Sequence, residues 1–155
     1  MPTDGLDVIV IDKEGNWFYN GLPIVNETIY QYFNRHVVPA ESGGYCLKIG
    51  DETMALEVED TPYVVTAAEL QRTESAGDHF LITLNDKTSE PLNTDTFYIR
   101  KDTNIPSCRV KNNLFPARFL RPAYYHLAEH VREGEHGEFY ILLNNRKWYI
   151  GGDQM

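Results

Sequence analysis

Gly43-Gly44-Tyr45 joins a helical pattern to a hairpin pattern, and Gly137-Glu138-Phe139-Tyr140 stands at the same kind of junction near the end of the chain. Aligned on these glycines, Lys48-Ile49-Gly50-Asp51 falls opposite Leu142-Leu143-Asn144-Asn145. Each junction predicts a helix followed by a hairpin, and each such unit has an apolar face to bury. The sequence therefore predicts an α+β fold of two repeated helix-plus-hairpin motifs with mainly antiparallel sheet.

The pattern before the first junction begins with a strand and then changes to a helix. Asp7–Asp12 is rich in β-branched residues and too short for a helix, so it predicts a strand. Asn26 suits the N-cap of the first helix, because its side-chain oxygen can accept a free backbone N–H of the first turn. Apolar residues one helical turn apart predict a helix that continues until Pro39 and Gly43 stop it: Ile29, Phe33 and Val37.

The second half of the chain repeats this order. Pro122 suits the first position of a second helix, and Gly134 suits its C-cap. An apolar stripe marks the buried face of that helix: Leu120, Tyr124, Leu127 and Val131. Residues 71–77 resemble a linker, so we expect one repeat in residues 1–70 and the other in residues 78–155. Whether the repeats form one core or two lobes is left open.

Composition excludes several classes of protein. The 155 residues include 23 acidic and 14 basic side chains, for a net charge of −9, which argues against nucleic-acid binding. No apolar run reaches the ~20 residues of a membrane helix, and Met1–Gly5 does not resemble the start of a signal peptide. Two cysteines are too few for a secreted disulfide framework. We therefore expect a cytoplasmic protein that binds neither nucleic acid nor membrane.

Three segments resemble a known family. Ile11–Ile24 runs as an apolar strand, a glycine turn, Trp-aromatic and Gly-x-Pro-Ile; Val58–Val65 reads Val-Glu-Asp-x-Pro-aromatic; Arg121–Leu127 reads as an Arg-x-x-aromatic-Tyr-x-Leu helix. Their order and spacing resemble the bacterial domain of unknown function 1285 family. The resemblance implies a fold of two repeated α+β motifs and no established activity. A part in signalling or in binding a regulatory ligand is suggested by analogy alone.

One basic segment stands out on this acidic chain. Residues 100–121 contain six basic side chains and one acidic side chain, so the segment carries +5 and the rest of the chain −14. Such a segment concentrates anions locally, and a helix N-terminus next to it adds free N–H groups. The alternative is that these side chains pair with carboxylates of the same fold. The residues predicted to contact a small anionic ligand are Arg109, Lys111, Arg118 and Arg121, with Tyr125 as a hydroxyl donor.

Two weaker patterns suggest an enzyme instead. His126-Leu127-Ala128-Glu129-His130 matches the inverted zinc-protease string, in which two histidines share one helix face. Glu57, Glu59 and Asp60 are close enough in sequence to act as paired carboxylates, although a solvated strand face explains them as well. These patterns give the alternative of a metal- or carboxylate-dependent hydrolase that uses His126 and His130, or Glu59 and Asp60.

The nucleotide-binding and nucleophile motifs are missing from the sequence, so no cofactor is predicted. The sequence is best interpreted as a non-enzymatic binding or regulatory domain for a small anionic ligand or a protein partner. It leaves the oligomeric state open.

Overall fold

The computed structural model describes residues 8–75 and 77–150. The chain divides into two compact units, with the boundary between Pro62 and Tyr63.

The first unit is built on one six-stranded sheet. Its strands are β1 (Ile9–Ile11), β2 (Trp17–Tyr19), β3 (Leu22–Pro23), β4 (Val37–Pro39), β5 (Tyr45–Ile49) and β6 (Glu52–Val58), in the order β3-β2-β1-β6-β5-β4. β1 runs parallel to β6, with Ile9 opposite Leu56 and Ile11 opposite Val58. The other neighbours in this sheet are antiparallel. Ile9 and Ile11 are buried, as expected for a strand rich in β-branched residues.

The helix of the first unit, α1 (Glu27–Asn34), begins where the sequence predicts and ends earlier. The Asn26 side chain accepts a hydrogen bond from the N–H of Ile29 at 3.2 Å, so the predicted N-cap is confirmed. The predicted continuation to Val37 is wrong, because Val37 lies in β4 opposite Leu47. A β-branched residue that fits helical spacing fits a strand equally well, and pairing with β5 decides the outcome.

The second unit contains a second six-stranded sheet and a smaller three-stranded one. The larger sheet has β7 (Tyr63–Thr73), β8 (Gly77–Leu84), β9 (Ser89–Pro91), β10 (Tyr98–Ile99), β11 (Pro106–Val110) and β12 (Phe115–Phe119), in the order β10-β11-β12-β7-β8-β9. The smaller has β13 (Val131–Glu133), β14 (Phe139–Leu143) and β15 (Arg146–Tyr149), all antiparallel. α2 (Arg121–Ala128) leads from β12 into this smaller sheet and packs on β7, and its buried residues are Ala123 and Leu127.

The two larger sheets share one strand order. Counted from its own first strand, each reads 3-2-1-6-5-4, and in each the first and last strands are parallel neighbours at the centre. Along the chain, α1 connects the third strand of the first sheet to the fourth. In the second sheet, a short 3-10 helix (Thr94–Thr96) occupies the same connection. Such a parallel pair joins residues far apart in sequence, so local sequence patterns do not reveal it.

The predicted fold class is wrong. The described residues are mostly β, with 49% in strands, 13% in helices and three sheets, and they do not form an α+β fold of two helix-plus-hairpin repeats. Both helices have only eight residues. The two hairpins that the glycine alignment matched belong to different kinds of sheet: β5–β6 lies inside a six-stranded sheet, and β14–β15 completes the three-stranded one.

Other sequence expectations fall in the second unit. α2 begins beside Pro122 as predicted, but it ends at Ala128, so Gly134 is not its C-cap. Val131, expected on the helix stripe, lies in β13 opposite Ile141. Residues 71–75 and 77, part of the predicted linker, lie in β7, β8 and their turn. Neither helix in residues 8–75 and 77–150 has the length and apolar character needed to cross a membrane.

Cys108 lies in the core of the second unit and Cys46 is half-buried in the first. Burial raises the pKa of the Cys108 thiol, and the nearby Glu90 charge adds to the shift. Because the thiolate is the reactive form, we expect a maleimide reagent to modify native protein at Cys46 and to modify Cys108 only after unfolding in urea. Mass spectrometry of labelled peptides measures this. Rapid labelling of Cys108 in a folded Cys46→Ser variant would contradict the expectation.

Candidate functional site

Arg109, the first of the predicted anion contacts, fastens the turn that follows it. Its guanidinium donates to the carbonyl oxygen of Asn113 at 2.9 Å through Nε and to that of Leu114 at 3.0 Å through Nη2. Lys111, Asn112 and Asn113 in this turn all have positive φ. Because few residues other than glycine adopt this conformation cheaply, the two guanidinium bonds help to hold the turn.

Lys111 is engaged with a buried carboxylate. Its Nζ lies 2.8 Å from Oδ2 of Asp86 and donates to the hydroxyl of Thr88 at 3.0 Å. The Asp86 side chain is fully buried, and its Oδ1 accepts from the Thr88 hydroxyl at 2.6 Å and the Thr88 N–H at 3.0 Å. Burial alone would raise the pKa of Asp86, but the bonds from Lys111 and Thr88 outweigh it and lower the pKa. Asp86 is therefore an ionised partner of Lys111 in the folded protein.

The remaining three predicted contacts lie on β12 and α2. Arg118 is half-buried in β12 opposite Ser107, whereas Arg121 is exposed as the first residue of α2. Tyr125 is exposed, and its ring contacts that of Tyr124 with centroids 4.9 Å apart. None of these five predicted residues lines the clefts described below.

The residues of the hydrolase alternative are not arranged as the zinc pattern requires. α2 ends at Ala128, so His126 lies in the helix and His130 lies beyond it, and the two do not share a helix face. Within residues 8–75 and 77–150, no group of three or more His, Cys, Asp or Glu residues could hold a metal ion. Glu59 accepts a hydrogen bond from the backbone N–H of Lys13 at 3.0 Å, which ties it to the β1–β2 turn.

A polar cleft in the second unit brings together two guanidinium groups and an imidazole from three segments. We call it the His130 cleft; its volume is about 390 Å³. Arg72 comes from the end of β7, His130 follows α2, and Arg132 comes from β13. The carboxylates in its lining are Asp78 and Glu129. Asp78 is already 3.3 Å from Nη1 of Arg72, and the rest of the polar lining includes Arg132, the imidazole of His130 and the carboxylate of Glu129.

The β14–β15 turn fixes one wall of the His130 cleft. Asn144 and Asn145 form this turn with φ values of 55° and 65°. The Asn144 side chain accepts from the Asp78 N–H at 2.8 Å and donates to the Asp78 carbonyl at 3.0 Å, which replaces one step of strand pairing. Gly77 has φ of 75°, and a Cβ there would lie 2.9 Å from the Asn144 side chain, so a larger residue would strain the backbone and displace the Asn144 amide.

The other side of the cleft is set by packing. The His130 ring contacts the edge of buried Phe80, with centroids 5.3 Å apart. This contact orients the imidazole, and the backbone N–H of His130 donates to the Leu127 carbonyl at 2.9 Å, which holds the residue just after α2. Guanidinium and imidazole groups donate hydrogen bonds to carboxylates and phosphates, so the cleft is suited to a small anion.

Sequence reasoning missed the two arginines of this cleft. Arg72 falls in the predicted linker. Arg132 follows the end of the predicted apolar stripe and belongs to no motif. His130 was singled out only as a metal ligand. The Asn144-Asn145 turn can be predicted from the sequence. Its contact with Asp78 cannot, because the two residues are 66 positions apart in the chain.

Two solved structures have a fold similar to that of this chain. A DUF1285 family protein from Silicibacter pomeroyi DSS-3 matches with a TM-score of 0.74 at 20% identity, over 92% of this chain and 79% of that one. The chain has the DUF1285 fold. A DUF1285 family protein from Shewanella baltica OS155 matches with a TM-score of 0.63 at 16% identity, over 79% of this chain and 91% of that one. The resemblance noted in the sequence is thus confirmed by the fold.

At the level of sequence, no family model matches the chain, and no curated protein matches it. The DUF1285 fold is therefore recognised here through structure, at identities where side chains have largely changed. Both residues of the Asp86–Lys111 pair belong to the second unit of this chain, as do Arg72, His130 and Arg132 of the His130 cleft.

Proposed function

We propose that this protein is a non-enzymatic binding domain of the DUF1285 type that takes a small anionic ligand in the His130 cleft. The observation that carries the proposal is the convergence of Arg72, His130 and Arg132 on one cleft from three separate segments. A ligand carboxylate or phosphate would accept charge-assisted hydrogen bonds from these groups, which are stronger than bonds between neutral partners.

The lining favours binding over covalent catalysis. The residues that line the His130 cleft include no serine, threonine, cysteine or lysine, so the hydroxyl, thiol and amine nucleophiles are missing from its lining. Arg72 pairs with Asp78 at the protein surface, where such a pair is weak. An arriving anion can therefore compete for the Arg72 guanidinium at little cost.

We expect inorganic phosphate, citrate or ADP to raise the melting temperature of the full chain, because a ligand of the folded state stabilises it by mass action. An Arg132→Gln variant should bind the stabilising anion about tenfold more weakly, since the lost charge-assisted bond is worth about 1.5 kcal/mol. Isothermal titration calorimetry measures the difference.

Arg121→Gln is the matched control, because Arg121 is also exposed but lies on α2, in the basic segment 100–121. It should leave the affinity unchanged. Weaker binding by Arg121→Gln with normal binding by Arg132→Gln would move the site to that basic segment. No stabilisation by any of the three anions would overturn the proposal.

A further inference from the structure

The first unit carries an apolar groove between β3 and α1, in a different unit from the His130 cleft. We call it the Val25 groove; its volume is about 450 Å³. Leu22, Val25 and Ile29 line it and are 70%, 82% and 45% exposed. Large aliphatic side chains are usually buried, and a contiguous exposed group of them marks an interaction surface.

These side chains are not part of the core of the first unit. That core is formed by other residues, which are nearly inaccessible: Ile9, Ile11, Trp17, Val37 and Leu47. Phe33 connects the two sets through its side chain, because it lines the groove and its ring lies 6.0 Å from that of Trp17. The groove is therefore anchored to the core through Phe33, while Leu22, Val25 and Ile29 in its lining remain exposed.

The charge of the unit selects the kind of occupant. Residues 8–62 contain nine acidic and three basic side chains, and Glu27 lies in the first turn of α1, beside the groove. A second copy of the chain would bring the same negative charge, and an anionic membrane surface would also be repelled. A positively charged partner would be attracted, and its association would be accelerated.

The strand next to the groove disfavours an extended partner. β3 is an edge strand of only two residues, Leu22 and Pro23. Proline has no backbone N–H, so this edge offers little for a partner strand to pair with. An amphipathic helix instead needs only an apolar groove for its side chains at i, i+3, i+4 and i+7.

We propose that the Val25 groove docks a basic amphipathic helix of a partner protein. The apolar stripe of the helix packs on Leu22, Val25 and Ile29, and its lysines or arginines are attracted by Glu27 and by the net negative charge of the first unit. This site is independent of the anion cleft, because no residue is shared between the two.

The test uses the full chain and two synthetic peptides of about 18 residues, a length that gives several helical turns. One has leucines on one face and lysines on the other, and the second has glutamates in place of the lysines. Fluorescence anisotropy should show that the lysine peptide binds and that the glutamate peptide binds at least about tenfold more weakly.

A double variant, Leu22→Ser with Val25→Ser, tests the place of binding. Both side chains are exposed, so the fold should survive, and the lysine peptide should bind at least about tenfold more weakly. Leu114→Ser is the matched control, since Leu114 is 58% exposed in the second unit and should not affect binding. Equal binding by the double variant and the wild type would overturn the proposal.

Two further outcomes would assign the groove to another occupant. Dimerisation in sedimentation experiments that is lost in the double variant would identify a second copy. Retention of the protein on phosphatidylserine vesicles, lost in the same variant, would identify a membrane surface. Either result would overturn the helix proposal.

Discussion

Replacing Asp86 with alanine is expected to lower the free energy of unfolding by about 3 kcal/mol, the scale found when one partner of a buried ion pair is removed. The Lys111 side chain is only 26% exposed, and its Nζ would lose the carboxylate at 2.8 Å. The Thr88 hydroxyl and N–H would lose the same acceptor. Urea denaturation followed by circular dichroism measures the loss.

Asp102→Ala is the control for this prediction. Asp102 lies 3.5 Å from Arg100 Nη2, but its side chain is 63% exposed, so water replaces the lost contact. We expect a change within about 0.5 kcal/mol. If Asp86→Ala and Asp102→Ala unfold at the same urea concentration, the Asp86 pair does not stabilise the fold.

The Asp86 contribution should also depend on pH in one direction. Because the folded protein lowers the pKa of Asp86 below 3.8, the unfolded chain binds its proton more readily. This part of the stability is fully present above the unfolded pKa of about 3.9 and is lost as the pH falls through the folded pKa. An Asp86→Asn variant should lack this loss, and denaturation curves at several pH values compare the two.

Replacing Trp17 with alanine is expected to lower the free energy of unfolding by about 4 kcal/mol, the scale of a large aromatic truncation in a core. Trp17 is 2% exposed and packs on Phe33. Its Nε1–H donates to Oδ1 of the fully buried Asn34 at 3.3 Å, so the variant loses both apolar burial and a donor.

Hydrogen exchange with mass spectrometry shows which strands Trp17→Ala destabilises. Amide protection should fall in β1, β2 and β6, which lie together at the centre of the first sheet. Trp17→Phe keeps the ring packing and loses the N–H, so its effect should be smaller. If amide protection in these three strands is the same in Trp17→Ala as in the wild type, Trp17 does not stabilise the first sheet.

Local signals in the sequence predicted where elements begin better than where they end. Asn26 and Pro122 act through bonds and dihedral angles within one turn, and both mark helix starts correctly. Val37 and Val131 fit helical spacing, yet each begins a strand, because pairing with a distant strand outweighs the short stripe. The fold class failed for the same reason, since the parallel β1–β6 and β7–β12 pairs leave no local pattern.

The predicted site shows a similar limit. The sequence identified a real excess of positive charge in residues 100–121. It could not show that Arg109 is engaged by turn carbonyls or that Lys111 is matched by Asp86, which lies 25 positions earlier in the chain. Charge is visible in a sequence, whereas the partner of each charge is set by long-range pairing.

The parallel pairing of β1 with β6 also means that β1 must wait for a partner strand during synthesis. Ile9-Val10-Ile11 is synthesised before its parallel neighbours, Leu56 to Val58, which appear only when the first unit is nearly complete. During that interval the nascent chain exposes an apolar strand with one free edge, the kind of edge that associates with other chains. We therefore expect co-translational shielding of this strand to reduce misassociation of the nascent chain.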